Sequence, residues 1–128
     1  MHELILTLLS GPGFPLGDST RTIRLQVALD WAGNPDTQAW YDDPLPWRAW
    51  LEGRDIEDRR GDVQYEPDYG WYLRMPPAQH EPEDANSWFI QFPNTPARPG
   101  ETLVTRGPDG EDWAWRIVQV EARQDAMG

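Results

Sequence analysis

The residues best suited to metal chemistry lie in one short segment, where His80 is followed closely by Glu81, Glu83 and Asp84. A histidine beside carboxylates is a donor set for zinc or for a hard cation such as calcium. Proline at position 82 and just before the segment leaves these donors without a defined ligand spacing. We therefore interpret the segment as a solvated loop, and we expect neither a bound metal nor a cofactor.

Nucleophilic catalysis would have to use a serine, because the chain contains no cysteine. Ser10, Ser19 and Ser87 have no histidine near them in sequence. A catalytic triad would have to recruit His2 or His80 through the fold. The 22 acidic residues are too numerous for any one pair of carboxylates to indicate acid–base chemistry. We expect a protein without enzymatic activity.

A glycine-rich stretch over residues 10–18 raises the question of phosphate binding. It lacks the Gly-Lys-Ser/Thr ending of a phosphate-binding loop, and a strand pattern follows it instead of a helix. We interpret it as a connection between strands.

The charge of the chain restricts the class of partner. Twenty-two acids against eleven bases, all of them arginine, give a net charge of −11. Such a chain repels nucleic-acid phosphates and anionic lipid headgroups, which leaves basic proteins, cations or neutral ligands as expected partners. The alternative is that the charge serves solubility alone. No basic and apolar leader and no run of about 18–20 apolar residues is present, so we expect a cytoplasmic protein.

Acidic and aromatic residues are concentrated together in residues 36–68. This segment holds ten acids against four arginines, with Trp40, Tyr41, Trp47 and Trp50 among them. Aromatic anchors surrounded by charge of one sign are typical of electrostatically steered protein interfaces. We therefore predict a partner-binding surface in which Trp47 is the exposed anchor, whereas Trp50 faces the core. The alternative is that the tryptophans form core and the acids a solvated loop. The candidate partner-binding residues are Asp42, Asp43, Trp47, Asp55, Glu57 and Asp58.

Alternation of apolar and polar residues predicts a mostly β structure. Period-two alternation over residues 21–31 indicates a long strand with one buried face. Its apolar positions are Ile23, Leu25, Val27, Leu29 and Trp31. Leu4, Leu6 and Leu8 indicate an earlier strand that is apolar on both faces.

Turn residues separate further strands. We predict a short strand at 39–41, a hairpin over 63–75, a strand at 88–92, and a hairpin that pairs 101–106 with 111–122. In the last strand Trp115 and Ile117 share one face, whereas Val118 and Val120 lie on the other. Either both faces are covered, or a bulge changes the phase near Ile117.

One helix is predicted over residues 44–52, with Asp43 as its N-cap. Trp47, Trp50 and Leu51 have the i, i+3, i+4 spacing of a single helix face. Taken together, these elements predict one mostly β domain over residues 1–128. We expect a β-sandwich or small barrel of about six to eight strands with one short helix.

Three functions agree with these features. The first is a small interaction protein that binds a partner with a basic surface and could inhibit it, as immunity, anti-defence and nucleic-acid-mimic proteins do. The second is a sugar- or small-ligand-binding domain that uses exposed tryptophans. The third is a structural or assembly subunit, as in a phage particle, whose strand edges pair with neighbours. Tryptophans in a concave groove would favour a small ligand, and tryptophans on a convex acidic patch would favour a protein partner.

Overall fold

The computed structural model of the chain describes residues 1–54, 56–77, 79, 81, 82, 86–92 and 96–122. Within these ranges it contains eight strands and one helix. The strands are β1 (His2–Ser10), β2 (Asp18–Val27), β3 (Trp47–Glu52), β4 (Arg59–Glu66), β5 (Gly70–Arg74), β6 (Ser87–Gln91), β7 (Thr102–Arg106) and β8 (Asp112–Ala122), and the helix is α1 (Thr37–Asp42). None of the described segments forms a helix long and apolar enough to cross a membrane.

The eight strands form one closed antiparallel barrel in chain order. Each strand pairs with its neighbours in sequence, and β1 closes the barrel by pairing with β8. The mostly β fold predicted from the alternating residues is therefore confirmed, and it takes the barrel form rather than the sandwich. Closure leaves each strand paired on both sides, which removes the free edges on which strand-by-strand assembly depends.

The core lies inside the barrel and follows the period-two pattern. Ile23, Leu25 and Val27 are buried on β2, and Leu4, Leu6 and Leu8 are buried on β1. An eight-stranded barrel has an interior just wide enough for side chains to fill. One polar pair completes this core, because the indole Nε1 of Trp115 donates a 3.0 Å hydrogen bond to Oγ1 of Thr105.

A bulge in β8 explains the mixed pattern of its apolar residues. In the pairing of β1 with β8, Ile5 of β1 lies opposite Gln119 of β8, and the next residue, Leu6, lies opposite Ile117. One residue of β8 is therefore extra. That residue is Val118, which is exposed, while Ile117 is buried. Of the two explanations offered by the sequence, the phase change near Ile117 is the one that the structure adopts.

The predicted helix over residues 44–52 is wrong, because Trp47–Glu52 is the strand β3. Trp47, Ala49 and Leu51 alternate into the core, and β3 pairs with both β2 and β4. A nine-residue helix depends on tertiary packing for its stability, and pairing on two sides stabilises the strand instead. The strand predicted at 39–41 is also wrong.

Residues 39–41 belong to the helix α1. Asp36 is its N-cap, and the Asp36 carboxylate accepts a 3.1 Å hydrogen bond from the backbone N–H of Ala39. This cap satisfies one of the unpaired amides at the start of the helix. The single short helix expected from the sequence is therefore present, but it begins seven residues earlier than predicted.

Antiparallel order gives the barrel two distinct ends. We call the end with the β1–β2, β3–β4, β5–β6 and β7–β8 connections the open end, and the opposite end the capped end. The long β2–β3 connection crosses the capped end, where the Ala97 N–H donates a 2.8 Å hydrogen bond to the Gly33 carbonyl. From α1, the indole of Trp40 donates a 3.0 Å hydrogen bond to the Val63 carbonyl of β4.

Aromatic rings fill the barrel beneath this connection. Trp47 stacks on Trp71 with ring centroids 5.6 Å apart and planes inclined by 11°. Trp71 in turn contacts Tyr65, which contacts Trp40 of the helix. This packing explains much of the aromatic content of the chain.

Candidate functional site

Trp31 is the most exposed large apolar side chain in the described residues, at 99% of its free accessibility. It lies at the capped end, in the turn that follows β2. One oxygen of the Asp30 carboxylate accepts hydrogen bonds from the N–H groups of Ala32 and Asn34, at 2.9 and 3.0 Å. The Gly33 N–H donates to the Asp30 carbonyl at 2.9 Å. The turn therefore presents the indole on a backbone that is already ordered.

Three further large apolar side chains at the same end are more than half exposed. They are Tyr41, Leu45 and Tyr69, with exposed fractions of 55%, 72% and 73%. The Tyr41 ring rests against Trp40 at 5.1 Å, so part of its surface is held in place by the helix. Single exposed apolar residues are ordinary on protein surfaces, but several at one end are typical of an interaction site. We call Trp31, Tyr41, Leu45 and Tyr69 the capped-end surface.

The charge at the capped end is mainly negative. Asp42, Glu66 and Asp68 are exposed there, and none of the three belongs to an ion pair within the described residues. Arg98 at this end is already paired with Glu101, with 3.2 Å between the charged atoms. Unpaired carboxylates on a low-dielectric body produce a field that attracts a basic surface.

The prediction that Trp47 is an exposed anchor is wrong. Trp47 is 1% exposed, and Trp50 is half-buried on the outside of β3 under the guanidinium of Arg24, 4.7 Å from its ring. The faces predicted for the two tryptophans are reversed: Trp47 faces the core and Trp50 faces outward. A strand points neighbouring side chains to opposite faces, whereas a helix would place positions 47, 50 and 51 on one face.

The acidic stretch over residues 36–68 does not form one surface. Asp42 and Asp43 lie at the capped end, while Glu57 and Asp58 are exposed in the β3–β4 connection at the open end. The six residues of β3 separate the two groups by about 20 Å. Asp55 lies outside the described residues. A partner-binding role for Glu57 and Asp58 stays a prediction.

Asp43 has a structural role that sequence reasoning missed. Its carboxylate accepts a 3.0 Å hydrogen bond from the indole Nε1 of buried Trp47 and another from the Leu45 N–H. The Asp43 N–H itself donates to the Trp40 carbonyl at the end of α1. The Asp-Pro pair that resembled a helix start therefore marks a helix end.

Replacement of Asp43 by alanine should lower the free energy of unfolding by about 1–3 kcal/mol, because it leaves the Trp47 indole without its acceptor. Urea denaturation followed by circular dichroism measures this loss. Asp42→Ala is the matched control, since Asp42 is exposed and should cost no more than about 0.5 kcal/mol. Equal losses in the two variants would contradict the structural role of Asp43.

Trp31 was hidden from sequence reasoning by its position in the alternating pattern. It occupies the last apolar position of residues 21–31, but β2 ends at Val27. The hydrogen bonds of Asp30 and a bridge between Leu29 and Pro35 turn the chain before position 31. The Gly-Asn-Pro sequence at 33–35 was the available signal that the strand ends early.

Metal-ligating side chains do not gather in the part of the chain that the structure describes, where no group of three or more such residues occurs. His80, Glu83 and Asp84, considered above as metal donors, lie outside the described residues. We compared this chain with models of protein families, with curated protein sequences and with solved structures, and none of the three comparisons found a match. Its function must therefore follow from the residues themselves.

Proposed function

We propose that this protein binds a partner protein with a basic surface, and that Trp31 at the capped end is the central anchor of the interface. The observation that carries the proposal is the 99% exposure of Trp31 on a turn braced by the Asp30 carboxylate. A fully solvated indole is unfavourable for the isolated protein, and tryptophan is among the residues enriched at the energetic centres of interfaces.

The energy available from Trp31 is large. Burial of about 150–250 Å² at roughly 25 cal/mol per Å² contributes about 4–6 kcal/mol before the cost of association. Because the backbone of the turn is already ordered by its hydrogen bonds, little conformational entropy is lost on binding. Tyr41, Leu45 and Tyr69 are further exposed apolar side chains at the same end of the barrel.

Charge defines the chemistry of the partner. Asp42, Glu66 and Asp68 are exposed at the same end of the barrel as the capped-end surface, and none of them belongs to an ion pair within the described residues. Complementary charge accelerates association and rejects acidic partners, so the binding surface of the partner should be rich in lysine and arginine. A protein that covers such a surface blocks whatever else binds there, and inhibition of the partner is the consequence that we propose.

Affinity capture with matched baits tests the proposal. Wild-type protein, Trp31→Ala and Leu16→Ala are used as baits in a lysate of the source organism, and captured proteins are quantified by mass spectrometry. Leu16 is 96% exposed at the open end, so Leu16→Ala removes a comparable apolar group from the other side of the barrel. We expect a basic protein to be retained by the wild type and by Leu16→Ala and lost with Trp31→Ala. Identical capture by all three baits, or a lost protein that is acidic, would contradict the proposal.

The assembly alternative loses the feature on which it was based. It required strand edges that pair with neighbouring subunits, whereas each of the eight strands is paired on both sides within the barrel. The ligand-binding alternative has an observation of its own, which lies at the opposite end of the molecule.

A further inference from the structure

The open end of the barrel contains a concavity of about 290 Å³. It is formed by residues from all four connections or strand ends that meet there, and Trp115 of the core lies among them. Trp88 and Trp113 form aromatic walls, and Arg21 and Arg59 supply charge. Barrel mouths of this kind are common ligand sites, and this volume is near the lower limit for them, which restricts the ligand to one small ring.

Two hydrogen-bond donors at this concavity lack acceptors. They are Nε of Arg21 and Nε1 of Trp88, each buried and each without a hydrogen bond in the described part of the chain. Arg59 is different, because its Nη1 lies 3.0 Å from Oε1 of Glu81 in an ion pair. Native structures rarely leave buried donors unsatisfied. Two in one concavity therefore indicate a ligand that brings acceptor oxygens.

The guanidinium of Arg21 forms no ion pair within 4 Å among the described residues. Its guanidinium lies over the ring of Phe14 at 4.4 Å and near Trp113 at 5.6 Å, which fixes its position. The nearby carboxylate of Asp18 accepts hydrogen bonds from the N–H and hydroxyl of Thr20, at 2.9 and 2.7 Å, and these bonds, with a smaller contribution from the charge of Arg21, lower the pKa of Asp18. The Asp18 carboxylate is thus hydrogen-bonded to Thr20 and not to Arg21, so the N–H groups of Arg21 are available to an anion.

Two acids line the concavity itself, Glu81 and Asp109, and both are engaged. Glu81 is paired with Arg59. Asp109 belongs to the turn between β7 and β8, where its carboxylate accepts a 3.0 Å hydrogen bond from the N–H of Glu111. Arg59 lies 5.8 Å from the ring of Trp88, so cation and aromatic wall form one surface. The mouth therefore combines flat aromatic faces with donors suited to a planar oxyanion.

We propose that the open end binds a small aromatic carboxylate, with its ring between Trp88 and Trp113 and its carboxylate on Arg21 and the Trp88 indole N–H. The rings provide the apolar contact, and the arginine fork matches the two oxygens of a carboxylate. A neutral sugar would leave the guanidinium of Arg21 without an ion-pair partner, so the charged ligand is the form that this donor set favours. The site is separate from the protein-binding surface, which lies at the other end of the barrel.

Titration of the protein with three small molecules distinguishes the contribution of the ligand's ring from that of its charge. Benzoate carries both, benzamide carries the ring alone, and inorganic phosphate carries the charge alone. Binding is followed by calorimetry and by the indole N–H signals in ¹H–¹⁵N correlation spectra. We expect benzoate to bind at least about tenfold more tightly than either other probe, since a charge-assisted hydrogen bond is worth a factor of that size. The Trp88 indole signal, assigned by its loss in Trp88→Phe, should move on binding.

Variants locate the site. Arg21→Gln should weaken benzoate binding about tenfold or more, whereas Arg116→Gln, which removes an exposed arginine from the outer wall of β8, should leave it unchanged. Thermal unfolding of each variant checks that Arg21→Gln remains folded, and Trp88→Phe, which keeps an aromatic ring, provides a second test of the donor. Trp31→Ala should also leave benzoate binding unchanged, which separates this proposal from the protein partner.

Three results would overturn the proposal. The first is the absence of saturable benzoate binding at millimolar concentration, because a site with this donor set must hold the simplest member of the class. The second is equal binding of benzamide or phosphate, and the third is unchanged affinity in folded Arg21→Gln.

Discussion

Replacement of Trp47 by alanine should lower the free energy of unfolding by about 3–5 kcal/mol. Trp47 is 1% exposed, stacks on Trp71 and donates its indole N–H to Oδ2 of Asp43, so its removal leaves a cavity and takes away the hydrogen bond to that carboxylate oxygen. Urea denaturation of wild type and variant measures the difference, with the slope of the transition checked for two-state behaviour.

Trp31→Ala is the matched control for Trp47, since it removes the same side chain from a fully exposed position. We expect it to change the free energy of unfolding by no more than about 0.5 kcal/mol. If instead Trp47→Ala is nearly neutral and abolishes capture of the partner, Trp47 is the exposed anchor and the buried position described here is wrong.

Replacement of Leu25 by alanine should cost about 2–5 kcal/mol, the range for emptying a packed aliphatic site. Leu25 lies on the inner face of β2 and is completely buried between Leu4 of β1 and Ala49 of β3. Thermal or urea unfolding measures the loss. Gln26→Ala is the control on the opposite face, with an expected cost near 0.5 kcal/mol. Similar losses at the two positions would show that both faces of β2 are packed, in contradiction to a barrel with a solvated outer wall.

The strands of this barrel could be predicted because their signal is local. Alternation over residues 21–31 predicted β2, and the mixed faces around Ile117 in β8 left two explanations, of which the bulge is the one present in the structure. Each of these follows from the fact that neighbouring side chains in a strand point to opposite faces.

The capped end could not be predicted, because it depends on contacts between distant segments. Trp47 and Trp50 fit a helix face as well as a strand, and only pairing with β2 and β4 determines which of them is buried. The exposure of Trp31 depends on a turn closed by Asp30, which shortens a strand that the alternation alone would extend. Asp43 and Glu57 are close in sequence, but they lie at opposite ends of the barrel because the strand β3 runs between them.

The open end was equally hidden from sequence reasoning. Arg21 and Trp88 are separated by more than sixty residues, and nothing in the local pattern of either indicates a shared cavity. Their proximity follows from the closed order of the strands, which brings the start of β2 and the start of β6 to the same end of the barrel.

The association rate with the captured basic partner tests the central claim most directly. Two triple variants lose the same negative charge: Asp42→Asn with Glu66→Gln and Asp68→Asn at the capped end, and Glu57→Gln with Asp58→Asn and Glu111→Gln at the open end. At low ionic strength the capped-end variant should associate about tenfold more slowly, and the open-end variant should associate like the wild type. The difference should shrink as salt rises past about 0.15 M, where the Debye length falls below about 8 Å. Slower association of the open-end variant alone would place the partner at Glu57 and Asp58, and equal rates for all three proteins would show that the charge of the capped end does not steer binding.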